Sequence, residues 1–164
     1  MSLQRYLSAA IVGLSCITIA SSALLRPALS EIPTEYLVRV QARIEKFLDN
    51  GNIYAVQNQP TRETTFTLAR PIHVTKIMTY HWNDGRGAPA GTIGLRESTG
   101  ETYGPWEAVG QPGQGGVPSA YWIVEGDLEL PAGTYTVLDS DPPTWAQNAG
   151  SRGAGMAIVE GYRD

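Results

Sequence analysis

Residues 79–85 carry the densest chemistry in the chain. Thr79-Tyr80-His81-Trp82-Asn83-Asp84-Gly85 sets an imidazole, two aromatic rings and two oxygen-bearing side chains next to one another. Three further stretches share this character: Tyr103-Gly104-Pro105-Trp106, Tyr121-Trp122, and Asp139-Ser140-Asp141-Pro142-Pro143-Thr144-Trp145. Trp and Tyr present flat apolar faces that stack on sugar rings while their polar edges stay hydrated. Neighbouring Asn and Asp side chains can bond sugar hydroxyls. The expected ligand surface therefore comprises Tyr80, His81, Trp82, Asn83, Trp106, Tyr121, Trp122 and Trp145. The competing reading of the same rings is structural: they cap the ends of a core.

Two other chemistries are open to these residues. Asp139, Asp141, Asn83 and Asp84 form a candidate calcium set, because calcium takes six to eight oxygen ligands and the Asp-Ser-Asp-Pro-Pro turn could present two carboxylates. Ordinary turn chemistry, with Asp bonding its own backbone, is the alternative. A hydrolase could use His81 as base with Ser119 or Ser140 as nucleophile, although no Gly-x-Ser-x-Gly elbow is present. The only other histidine, His73, is eight positions away. On one regular strand the two would share a face, more than about 20 Å apart, too far to hold one metal. The glycine-rich run 110–118 lacks the Lys-Ser/Thr ending of a phosphate loop and is expected to be an exposed connection.

Short extended segments must position these groups. The chain has 18 Gly and 11 Pro, and turn signals separate apolar runs at 52–57, 64–68, 73–82, 91–97, 102–109, 120–124, 134–138 and 155–160. About eight such strands predict an all-β domain over 52–164, an antiparallel two-sheet sandwich or jelly roll. Alternation is clear at Phe66/Leu68, Ile93/Leu95 and Tyr135/Val137. It fails across 73–82, which predicts either burial on both faces or a bulge there. Before this domain, residues 31–51 read as one amphipathic helix. Leu37, Val40, Ile44, Phe47 and Leu48 fall on a stripe, and Asn50-Gly51 is a stop signal. That stripe would pack on the following domain or join two subunits.

Residues 1–30 have the pattern of a secretory signal: Arg5, a charge-free apolar run from Leu7 to Leu25, and small residues near Ala28-Leu29-Ser30. An uncleaved membrane anchor is the other reading of the same run. The expected location is secreted or periplasmic, or membrane-anchored if the signal stays. The presequence holds two of the 12 basic residues and none of the 16 acidic ones, so a mature chain would keep ten bases against 16 acids, net −6. An acidic domain without a basic stripe is a poor nucleic-acid partner. Removing the leader also removes Cys16, the single cysteine, so neither a disulfide nor a thiolate metal site is expected.

The segment Leu128-Glu129-Leu130-Pro131-Ala132-Gly133-Thr134-Tyr135-Thr136-Val137 resembles the closing hairpin of bacterial extracellular β-sandwich modules. The pre-peptidase C-terminal type and the galactose-binding jelly rolls are similar to it. With Phe66–Pro71 and Gly91–Leu95, the layout is similar over roughly residues 60–160. This resemblance implies a non-catalytic module that binds carbohydrate or protein, or assists folding and secretion. The functional expectation is an exported binding module for carbohydrate or another envelope ligand. The first alternative is a structural or assembly protein of the envelope or extracellular matrix, acting through protein–protein contacts. The second is a small secreted hydrolase using His81.

Overall fold

Alternation of apolar and polar side chains governs the architecture. In the computed structural model, which describes residues 44–163, Thr64-Thr65-Phe66-Thr67-Leu68 buries every second side chain and exposes the rest. Among the described residues eleven strands result: β1 (Glu45–Asp49), β2 (Gln57–Asn58), β3 (Thr64–Leu68), β4 (Ile72–Tyr80), β5 (Thr92–Glu97), β6 (Thr102–Glu107), β7 (Val109–Gln111), β8 (Tyr121–Leu130), β9 (Gly133–Asp139), β10 (Ala146–Gln147) and β11 (Ala157–Tyr162). They form a five-stranded sheet in the order β1-β11-β4-β8-β7, a four-stranded sheet β3-β9-β5-β6, and the small pair β10-β2. Every strand pair is antiparallel. The domain is β-rich with antiparallel sheets, as the spacing of turns predicts.

One hydrophobic cluster draws on both large sheets. Ile72, Ile77, Trp122 and Val159 from the five-stranded sheet meet Ile93, Leu95, Tyr135 and Val137 from the four-stranded sheet. Ile93 and Leu95 are fully buried, and each such side chain contributes about 1.5–3 kcal/mol relative to exposure. A second cluster gathers Tyr80, Val117, Ala120, Ala146 and Met156 at the end of β4.

Three local readings are corrected. The predicted helix over 31–51 reaches the described residues only at its end, and there Glu45–Asp49 is a strand paired to β11. A register shift between Lys46 and Leu48 lets the adjacent Phe47 and Leu48 both pack toward the core, so two neighbouring apolar residues mimic a helical stripe. Residues 31–43 and the expected leader over 1–30 lie outside the described residues. The segment 128–137 is not a hairpin. β8 pairs with β4 and β7 while β9 pairs with β3 and β5, so Pro131-Ala132 carries the chain from one sheet to the other. The buried Tyr135 fastens that crossing, its hydroxyl donating to the Pro131 carbonyl at 2.8 Å.

The third correction concerns β4. Lys76 faces Glu160 and Val74 faces Gly161, which leaves Thr75 out of the β11 register, its hydroxyl donating to the Glu160 carbonyl at 3.4 Å. This bulge reverses the alternation. Ile72 and Val74 point inward before it, Ile77 and Thr79 after it. His73 and His81 therefore lie on opposite faces, not on one. Gly161 sits at the bulge, where a β-carbon would come 2.0 Å from the His73 carbonyl oxygen, so only glycine fits.

Candidate functional site

The end of β4 delivers the chemistry-bearing segment into the interior. The backbone N–H of His81 donates to the Ala120 carbonyl at 2.6 Å, which fixes the ring beside β8. The imidazole is fully buried and stacks on Trp122, with ring centroids 3.7 Å apart and planes 15° apart. Its Nε2 lies 3.0 Å from Asp139 Oδ2 and 3.1 Å from Thr79 Oγ1, and the Thr79 hydroxyl donates to the same carboxylate oxygen at 2.8 Å. On the other side of the ring, Nδ1 is 2.8 Å from Thr144 Oγ1, in the short 3-10 turn Pro142–Thr144. The Thr144 hydroxyl also donates to Asp141 Oδ2 at 2.7 Å, and the Asp141 N–H donates to Asp139 Oδ1 at 2.8 Å.

Thr144, His81 and Asp139 thus stand in the order hydroxyl, imidazole, carboxylate, the order of an activated nucleophile. The surroundings do not supply the rest of such a centre. The side chains of His81 and Asp139 are both 0% exposed. The N–H groups of Thr144 and Trp145 are spent on the Asp141 and Pro142 carbonyls, so they offer no oxyanion donors. The hydroxyls bonded to His81 belong to Thr79 and Thr144, not to Ser119 or Ser140. Ser140 Oγ instead accepts the Thr92 N–H. Among the described residues no buried side-chain nitrogen or oxygen lacks a partner. The network works as a clamp that ties the 139–145 loop to β4 and β9. Buried polar groups are tolerated when fully bonded in this way.

The tryptophans separate into core and margin. Trp122 is 1% exposed and donates its indole N–H to the Ala88 carbonyl; Trp145 is 5% exposed and donates to the Met156 carbonyl. Both indoles, like the His81 imidazole expected beside them in the sugar surface, are enclosed by the protein. Trp82 and Trp106 are half-buried in different places. Trp82 packs on the cluster around Ala120. Trp106, on β6, lines a cavity of about 170 Å³ with Val74, Ile77 and Val124.

The candidate calcium set is not brought together either. Asn83 and Asp84 sit in a tight turn with positive φ of 47° and 57°. Asn83 Nδ2 donates to the Gly87 carbonyl at 2.7 Å, and Asp84 pairs with Arg86 at 3.2 Å. The carboxylate oxygens of Asp139 accept bonds from Thr79, His81 and Asp141. Among the described residues no group of three or more His, Cys, Asp or Glu is placed to hold a metal ion. These residues perform turn and clamp chemistry.

An accessible surface emerges elsewhere, on the side of the five-stranded sheet turned away from the shared core. After the bulge, Lys76, Met78 and Tyr80 of β4 point there. Cross-strand register aligns them with Glu125, Ile123 and Tyr121 of β8. Met78 also faces Ile158, and Ile123 faces Val109, which is 65% exposed. An apolar row Val109–Ile123–Met78–Ile158 therefore crosses four strands. Beside it Tyr80 and Tyr121 form a tilted pair with centroids 5.2 Å apart. Burial, then the neighbouring Tyr121, pushes the Tyr80 phenol above its usual value. A groove of about 230 Å³ lies here, lined by Ile53, Met78, Tyr80, Tyr121, Met156 and Ile158. Ile53 is 86% exposed. On the other flank runs a charged row, Glu125–Lys76–Glu160–Lys46. Lys76 and Glu160 are 2.6 Å apart. Asp49 first, and Glu160 more weakly, hold the Lys46 ammonium above its ordinary value.

Of the expected ligand residues, only Tyr80 and Tyr121 belong to this surface. The aliphatic residues beside them escaped the sequence argument. Their signal was the failed alternation of 73–82, which marks a strand apolar on both faces. No family model, curated protein or solved structure matches the chain. Among the described residues no helix is long and apolar enough to cross a membrane.

Proposed function

We propose that this chain is an exported, non-catalytic binding module whose working surface is the outer face of the five-stranded sheet. The two large sheets are read as a sandwich, in which each outer face meets solvent and should be polar. Half of this one is not. The single observation that carries the reading is the apolar row Val109–Ile123–Met78–Ile158 with the groove beside it. Contiguous apolar surface of this kind marks interaction sites. Its aliphatic, flat character favours a protein surface over a sugar, which moves the assembly role ahead of carbohydrate capture. Export follows from the leader pattern of residues 1–30.

The test uses 8-anilinonaphthalene sulfonate as a probe of accessible apolar surface. The folded chain should enhance its fluorescence. The variant Ile123→Asp should lose at least about half of that signal while keeping its circular dichroism, because Ile123 faces outward and supports little of the core. Equal dye signals from two folded proteins would overturn the reading.

A carbohydrate ligand stays the second reading, favoured by the Tyr80–Tyr121 pair with Gln114 on the groove wall. Titration with chitohexaose and maltohexaose, followed by nuclear magnetic resonance, tests it. Shifts that centre on Tyr121 and vanish in Tyr121→Ala support it, and unshifted spectra remove it.

A further inference from the structure

The geometry points to a second copy of this chain as the occupant of the outer face. This inference rests on reading that face as a docking surface. It adds the partner, and the partner is written in the charged row. Across β8, β4, β11 and β1 the row reads Glu125, Lys76, Glu160, Lys46: minus, plus, minus, plus. A two-fold axis laid along the strands, between β4 and β11, brings the sheet face to face with its own image and turns the row end for end. Lys76 then meets Glu160 of the second copy, and Glu125 meets Lys46 of the second copy. All four charges find opposite partners. An even-numbered row of alternating sign is self-complementary under this operation, and a two-fold interface must pair a patch with itself.

The same operation carries only the middle of the apolar row: Ile123 comes opposite Asp49 of the second copy, because Asp49 is the β1 neighbour of Ile158, and Val109 lies beyond the four strands. Met78 and Ile158 are neighbours on β4 and β11, so each faces the other residue of the second copy. Stacked sheets lie about 10 Å apart with strands within about 30° of each other, which suits side chains of this length. Within one chain, cross-strand pairing accounts for Lys76 and Glu160, which already touch. It does not account for the half-buried apolar pair Met78 and Ile158 laid alongside the ladder. The second copy accounts for both.

The ends of the ladder supply a decisive experiment. Glu125 and Lys46 are three strand spacings apart in one chain, about 14 Å, too far to pair directly. Any rescue between them must pass through the dimer. Sedimentation equilibrium of the full chain over about 1–200 µM should show a monomer–dimer equilibrium that loosens as salt is raised. Glu125→Lys alone and Lys46→Glu alone should each weaken the dimer by about tenfold or more, since each sets like charges opposite one another twice. An equimolar mixture of the two variants should recover wild-type association, because every cross-copy pair is then opposite in sign.

A wild-type chain that stays monomeric throughout overturns self-pairing. So does a mixture that fails to recover. If the dye signal still depends on Ile123 in either case, the docking surface stands and only the identity of its partner falls. If the dye signal is absent as well, both readings fall together.

Discussion

His81→Ala separates a clamp from a catalyst. The substitution removes the contact with Asp139 at 3.0 Å, the contact with Thr144 at 2.8 Å, and the ring stacked 3.7 Å from Trp122. A hydrogen bond to a charged group is worth about 1.5–3 kcal/mol and a neutral one about 1 kcal/mol. Exchanging a buried imidazole for a methyl adds a cavity term of about 1 kcal/mol or more. The expected loss is about 3–5 kcal/mol. Thr79 and the Asp141 N–H still bond the Asp139 carboxylate, which limits the penalty of leaving it unpaired. For a domain of this size each kcal/mol moves the midpoint by about 3–5 °C, so thermal unfolding should shift down by about 10–20 °C. Thr144→Val should cost about 1–2 kcal/mol by the same reasoning, since it removes one hydroxyl and keeps the volume. Circular dichroism melts of the three proteins decide the matter. A His81→Ala variant that melts within about 3 °C of the wild type would refute the clamp. If it also abolished a hydrolytic activity, the enclosed triad would have to open and act as a catalyst.

Two further perturbations address the packing around this network. Burial first, then the neighbouring Tyr103 and Glu97, raises the Tyr135 phenol from 10.0 to about 12. The folded state thus holds this proton more tightly than the unfolded state, and the associated stability is complete below about pH 10 and is lost as pH rises toward 12. Urea midpoints measured from pH 8 to pH 12 should fall across that window, and Tyr135→Phe should start lower but fall less steeply. Gly155→Ala would place a β-carbon 2.2 Å from the buried Trp145 ring. Overpacking of this kind costs about 1–3 kcal/mol. A melt unchanged by the substitution would show that the ring can move aside.

Much of the architecture was readable because antiparallel strands advertise themselves by period. The segment 64–68 is found where alternation placed it, and the Tyr135/Val137 and Ile93/Leu95 pairs occupy the core as their period implied. The helix over 31–51 misleads at its described end for a local reason. A register shift beside Phe47 and Leu48 turns both residues toward the core, so their spacing looks helical when only a strand defect is present. The crossing at Pro131-Ala132 looked like a hairpin because a two-residue turn says nothing about which sheet receives the next strand. Only the β9 pairings, set by distant residues, decide that.

The site was less legible, and the reason lies in what burial does to chemical groups. Residue types in 79–85 and 139–145 have the polarity of a ligand site, but polarity near a strand end fits a closed network equally well. What distinguishes the two is whether every donor and acceptor is satisfied inside the protein. Here Asp139 has both carboxylate oxygens occupied and His81 both ring nitrogens. A group with no free valence and no exposure can hold a loop but cannot meet a substrate. The surface left with unspent interaction energy is the one whose side chains look chemically plain: Met78, Ile123, Ile158 and Val109. They became visible as a surface only once β4 was known to bulge at Thr75. That single extra residue turns His81 inward to Asp139 and Met78 to the outer side of the sheet, so the clamp and the outer apolar row are two consequences of one defect in the strand.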